Sequence, residues 1–297
     1  MLRLLPVLLL ILLQPARADD GLPDYLLKVP DSTRVVLVAE TDTSTLYRYE
    51  NGPDGMRLVD KHYMSIGENG VGKQRPWDRR TPLGVYFVSD QLDTSKLHPK
   101  YGITAFPLDY PNGWDRLRKR SGDGIWLHGV DPDGGKRPAL DTDGCLALPN
   151  DRLRMISADI QPLSTPVVIT RKLRLATEAE LRERAAGLDA ALRAWASSLA
   201  AGDLHSYFRM YAQGFSYLGM SRDEWMAFRL EAIGNRVLDD LVIDELSLLA
   251  DPVEDRLYVS RFLQTLVEGG RRVTTMKRLY WRRNDDGSFV IVAEDNG

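Results

Sequence analysis

Near residue 173 the chain changes character, and few architectures accommodate both halves. Upstream, residues 34–49 are rich in β-branched and aromatic side chains, with a turn over 40–44, and further strands are expected at 58–66, 85–89, 125–128 and 167–171. Downstream, Thr177-Glu178-Ala179-Glu180 opens a helix by capping logic, a hydroxyl followed by acids in the first turn. Leu181, Leu188, Leu192, Trp195 and Leu199 follow at helical spacing. Helices are expected at about 204–212 and 222–234. Long strands are expected at 241–249, 257–267, 273–282 and 289–293, with hairpin turns at Gly269-Gly270 and Asp285-Asp286-Gly287. The fold class is therefore a mostly-β unit followed by an α+β unit of helices and an antiparallel sheet. A length of 297 residues fits two such domains.

Ahead of the first strand, Met1-Leu2-Arg3, an apolar run from Leu4 to Leu13 and Ala16-Arg17-Ala18 form a secretory signal peptide pattern. The run is short for a membrane span. The expected division is a signal peptide at 1–18, an N-terminal segment at 19–33, a first domain at 34–172 and a second at 173–297. The mature protein is expected outside the cytoplasm, in a periplasm. A net charge of −3 points away from nucleic acid as a partner.

Export makes the cysteine count informative. Exported domains usually pair their cysteines, and this chain has only Cys145. It is either an inert apolar residue or a reactive thiol. Its surroundings are Thr142-Asp143-Gly144-Cys145-Leu146-Ala147-Leu148-Pro149-Asn150, preceded by the strand Ile125-Trp126-Leu127-His128 and Gly129. A thiol attacks as thiolate, and a strand-end imidazole facing the nucleophile's turn can take its proton. Gly144 permits close backbone approach to a substrate. Each residue also has a bland reading, with His128 a core histidine, Cys145 packing and Gly144 a turn. The combination favours catalysis.

Competing chemistries have weaker support. Gly67 to Lys73 fits the first seven places of a phosphate-binding loop, but Gln74 stands where Ser or Thr would hold Mg²⁺ and Pro76 where a helix would run. The segment reads better as a mobile basic loop beside a cleft. His62, His98, His128 and His205 are scattered, and no H-E-x-x-H occurs, so no metal or other cofactor is expected. Neither S-x-x-K nor G-x-S-x-G is present.

The His128 to Asn150 stretch resembles the L,D-transpeptidase (YkuD-like) catalytic domain, a β-sandwich, over roughly 34–172. Ile66-Gly67, Gly72-Lys73 and Arg80-Thr81-Pro82-Leu83-Gly84-Val85-Tyr86 resemble its first block, and Leu108-Asp109-Tyr110-Pro111-Asn112 a subgroup motif. The resemblance implies Cys145 as nucleophile, His128 as base and the Gly129 carbonyl as its orienting acceptor. It places an oxyanion hole at the Gly144 and Cys145 amides, with Thr142 and Asp143 close by. Asp143 stands where many members carry a second histidine, and an acid there raises a thiol pKa. Arg79 and Arg80, otherwise a solvated turn, and Tyr110 are expected to bind substrate, an arginine gripping a stem carboxylate.

Trp195, Gly202-Asp203, Tyr207, Tyr211, Phe215 and Lys277-Arg278-Leu279-Tyr280-Trp281 resemble the cone-shaped nuclear-transport-factor-2-like fold, whose pocket can take a ligand. The aromatics also read simply as core. Together the two domains resemble the cell-shape L,D-carboxypeptidases of helical bacteria. The implied partners are peptidoglycan stem peptides. Release of D-Ala from a tetrapeptide leaves an acyl-enzyme for an amine, the transpeptidase outcome placed first, or for water, the carboxypeptidase outcome. A non-catalytic wall-binding protein is the third reading. Oligomeric state is left open.

Overall fold

The computed structural model describes residues 21–134, 137–234 and 238–297. The expected signal peptide lies outside these residues. No helix among the described residues is long and apolar enough to cross a membrane.

Stacked layers arise from strict alternation along the strands. A five-stranded sheet runs in the order Gly55–Tyr63, Thr45–Gly52, Val35–Glu40, Pro166–Thr170, Gly84–Phe87. Its central strand, Val35–Glu40, is buried throughout. Successive side chains point to opposite faces, so Leu37 and Ala39 enter one core while Val36 and Val38 enter another. This explains why 35–39 reads as an unbroken apolar run. The first core faces a three-stranded sheet of Ala105–Pro107, Trp126–His128 and Leu146–Ala147, contributing Phe106, Leu127 and Leu146. That two-sheet arrangement is the expected sandwich.

The second core faces a seven-stranded sheet through Leu249, Leu257, Val259, Tyr280 and Val292. Its long strands, Asp240–Ala250, Leu257–Glu268, Arg271–Arg283 and Phe289–Asp295, exceed the expected bounds by one or a few residues. Gly269 and Gly270 both have positive φ, as the tight hairpin requires. The other face packs on the helix Glu178–Ala200, capped by Thr177 and Glu180, and on Arg222–Ile233. Trp195, Tyr207, Tyr211, Phe215 and Trp281 are core there, with Trp195 Nε1 donating to Tyr211 Oη at 2.9 Å.

Three features differ from expectation. The helix expected at 204–212 ends at Arg209, and Tyr211–Tyr217 is a strand, its aromatics at 211, 215 and 217 falling on strand rather than helix spacing. That strand pairs parallel with Phe289–Asp295, so the sheet is mixed rather than purely antiparallel. The N-terminal segment supplies Leu26–Lys28, which pairs with Asp240–Ala250 as the last strand of the seven-stranded sheet.

A buried ion network joins the layers. Arg278 bonds Asp295 through Nε at 2.7 Å and Nη2 at 2.9 Å, and Asp109 through Nη1 at 2.5 Å. Asp295 also accepts the Gly113 amide at 2.6 Å. Burial pushes the Asp295 carboxyl up, but Arg278 and these bonds hold it below the usual carboxylate range. Removing one partner of such a network strands the others in low dielectric. Arg278→Met should therefore cost about 3–5 kcal/mol, measured by urea unfolding. A loss under about 1 kcal/mol would show that the network is not what binds the layers.

Candidate active site

The site begins with a strand register. Trp126–His128 lies parallel to Leu146–Ala147, Leu127 opposite Leu146 and His128 opposite Ala147. Cys145 stands one residue before this ladder. His128 and Cys145 thereby line one cavity of about 320 Å³, together with Lys73, Trp77, Arg79, Lys100, Tyr101, Gly124, Arg137, Thr142 and Asp143. Both are buried, so they form its floor.

The turn carrying the thiol is held by two threonines. Thr142 Oγ1 accepts the Gly144 amide at 3.1 Å and donates to the Cys145 carbonyl at 2.8 Å. Thr81 Oγ1 donates to the Gly144 carbonyl at 2.9 Å and accepts the Gly67 amide at 2.9 Å. Gly144 has φ +124°, and a Cβ there would sit 2.7 Å from the Arg80 carbonyl oxygen. Only glycine fits. The Gly144 amide, expected in the oxyanion hole, is thus already committed to Thr142.

His128 Nδ1 lies 2.5 Å from the Gly129 carbonyl oxygen. A carbonyl only accepts, so Nδ1 carries the proton and Nε2 is the basic nitrogen. The acceptor is itself fixed. The next residue, Val130, is clamped by Asn150, whose Oδ1 accepts its amide at 3.0 Å and whose Nδ2 donates to its carbonyl at 2.8 Å. The Tyr101 ring packs edge-on against the imidazole, centroids 5.2 Å apart.

The resting pair is neutral. Burial lowers His128 to about 4, with the Gly129 bond opposing and Arg137 and Lys100 adding. Burial also raises Cys145 to about 11, and Asp143 adds to this, while a backbone bond at Trp126 and the charges of Lys100 and Lys73 work against it. The thiol's hydrogen bond goes to the Gly124 carbonyl, at 3.3 Å, rather than to the imidazole. Proton transfer therefore requires the thiol to leave the Gly124 carbonyl for the imidazole as substrate binds.

The other expected residues divide. Asp143 is exposed and pairs with Lys100 at 3.2 Å and Arg79 at 3.8 Å, so its charge is largely neutralised. Arg79 lines the cavity and also pairs with Glu68. Arg80 is not among the lining residues and donates from Nη1 to the Val71 carbonyl at 3.0 Å. Tyr110 is in the core, its hydroxyl donating to the Ser121 carbonyl at 3.1 Å, so it is away from the cavity. The 67–80 loop contains no helix, against a phosphate-binding loop. Nor is it loose: Asp78 accepts the Gln74, Arg75 and Arg80 amides and the Lys73 ammonium at 3.0 Å. Lys100, Tyr101 and Arg137 were not singled out by sequence. Each reaches the cavity by tertiary packing, which leaves no local pattern.

Residues 33–169 match the family model of YkuD, the L,D-transpeptidase catalytic domain. The chain carries a YkuD domain. Proteins of this family act on peptidoglycan stem peptides in the cell wall, typically in the periplasm. No curated protein sequence matches the chain. Among solved structures, Bd1075 of Bdellovibrio bacteriovorus superposes with a TM-score of 0.75 at 22% identity, over 93% of this chain and 98% of that one. The helical cell shape determining protein Pgp2 of Campylobacter jejuni, as its K307A mutant, superposes with a TM-score of 0.72 at 21% identity, over 93% of this chain and 92% of that one. At these identities the likeness is one of fold, and it extends beyond the YkuD domain to nearly the whole chain.

A neutral resting pair has a kinetic signature. Alkylation of Cys145 by iodoacetamide should be slow at pH 7 and rise about tenfold per pH unit through pH 8–10, because only the thiolate reacts. Mass spectrometry of the labelled peptide measures this. A plateau already reached at pH 6–7 would mean a preformed thiolate–imidazolium pair.

Proposed function

We propose that this chain is a cysteine acyl transferase that cleaves D-Ala from peptidoglycan tetrapeptide stems, with Cys145 as nucleophile and His128 as base. The observation that carries the reading is the convergence of the Cys145 thiol and the Nδ1-anchored His128 imidazole in one cavity. His128 Nε2 takes the thiol proton as Sγ attacks the carbonyl of the third stem residue. The Cys145 amide is the candidate donor to the developing oxyanion. Collapse expels D-Ala, whose amine receives the proton from His128, and leaves a thioester. His128 then deprotonates the acceptor, whose attack frees the thiol.

The acyl-enzyme passes to an amine, the transpeptidase outcome that stays first, or to water, the carboxypeptidase outcome. Lys73, Arg79, Lys100 and Arg137 line the cavity, each held by an acid, Asp78, Glu68, Asp143 and Asp141 in turn, and offer N–H donors to the carboxylates of a stem. The proposed setting is the periplasm, and the proposed units are 34–172 and 173–297, with Leu26–Lys28 joined to the second. A ligand of that second unit would bind in the cavity of about 420 Å³ lined by Trp225, Gln264, Lys277 and Glu294.

Incubation of the full chain with disaccharide tetrapeptide should release D-Ala and yield cross-linked dimer, separated by liquid chromatography. Cys145→Ala should abolish the reaction, and His128→Ala should lower kcat by about 10²–10⁴-fold. Disaccharide tripeptide as main product would make water the acceptor. Equal product with wild type and Cys145→Ala would remove the nucleophile assignment.

A further inference from the structure

The rim of the cavity carries a feature that the peptide chemistry does not use. Trp77 is 92% exposed, yet it lines the cavity whose floor holds Cys145 and His128. Its indole makes no hydrogen bond or ring contact with the described residues. A large aromatic held in water and beside a reactive site is a recognition feature before it is a packing one.

The backbone is built to keep it there. Trp77 has φ +61° and Arg79 φ +54°, two non-glycine residues in the left-handed region within three positions. Such conformations persist only where the surroundings over-determine them. Here Asp78, between the two, gathers three loop amides and the Lys73 ammonium onto one carboxylate. The Gln74 carbonyl accepts the Ser121 amide at 3.0 Å, and Asn69 donates to the Asp78 carbonyl at 3.0 Å. The loop backbone therefore fixes the point from which the indole is presented.

We propose that Trp77 is a stacking platform for a pyranose ring of the glycan that bears the stem peptide. This assignment rests on the peptidoglycan reading above. The reacting carbonyl belongs to the third stem residue, and an extended chain advances about 3.3–3.6 Å per residue. The sugar at the head of the stem thus lies roughly 10 Å from the thiol, out at the rim rather than in the floor. A stem of alanines, a glutamate and a diamino acid offers an indole little apolar surface. A pyranose offers a flat face of C–H groups, with hydroxyl and acetamido groups at its edge. Exposed Gln74 and Arg75 on the same loop, and Asp123 in the lining of the same cavity, offer donors and acceptors for that edge.

The test separates sugar recognition from catalysis. Peptide-free glycan oligosaccharide is titrated into the full-length Cys145→Ala protein, with intrinsic fluorescence and protein NMR as readouts. Saturable binding should weaken about tenfold or more in a Trp77→Ala background and be largely retained in Trp77→Phe. In the active protein, Trp77→Ala should raise KM for disaccharide tetrapeptide by a similar factor and leave turnover of the sugar-free tetrapeptide unchanged. Absence of glycan binding, or equal binding by wild type and Trp77→Ala, overturns the platform even if D-Ala is released. Glycan binding that depends on Trp77 without any D-Ala release would sustain the platform and sink the catalytic reading.

Discussion

The site depends on one parallel pairing, that of Trp126–His128 with Leu146–Ala147. Parallel neighbours need a long connection, and here it is the polar stretch from Gly129 to Cys145. The connection leaves the end of one strand beside His128 and returns to the start of the other beside Cys145. A slip of one residue would turn every side chain of the short strand to the opposite face. Burial of Leu127 and Leu146 in the shared core holds the register, and with it the placement of thiol and imidazole.

Charge in the cavity is arranged in compensated pairs. Lys73 meets Asp78, Lys100 meets Asp143 and Arg137 meets Asp141. The departure at Asp143, which alone would disfavour a thiolate, is therefore moderated by Lys100. Burial, not Asp143, is the main reason the thiol rests protonated. A neutral thiol is a poor target for adventitious oxidation, since the thiolate is the reactive form.

Local chemistry was legible in the sequence where it has a local cause. Thr177 and Glu180 form the capping box expected of them, and Gly269-Gly270 forms a hairpin turn. Cys145 stood out as the one cysteine and His128 as a histidine at a strand end, and the structure puts both in the lining of one cavity. What was missed depends on distant partners. The strand Tyr211–Tyr217 follows directly on a helix, so its first residues read as a continuation of helical spacing. Tyr110 sits in a recognisable motif, but its burial against Tyr86 is a tertiary fact. The Arg278 network joins Asp109 to Asp295 across most of the chain, and ion pairs leave no periodic trace.

The strand Leu26–Lys28 closes one edge of the seven-stranded sheet against Leu248 and Leu249. Its partner lies about 220 residues further along the chain, from Lys28 to Leu248, so the entropy of closing that loop must be met before the contact returns anything. Until Leu26–Lys28 docks, Asp240–Ala250 presents unpaired N–H and C=O groups along that edge, a template for other strands. A short strand drawn from ahead of the five-stranded sheet thus acts as a guard on the larger sheet, shielding it from stray pairing.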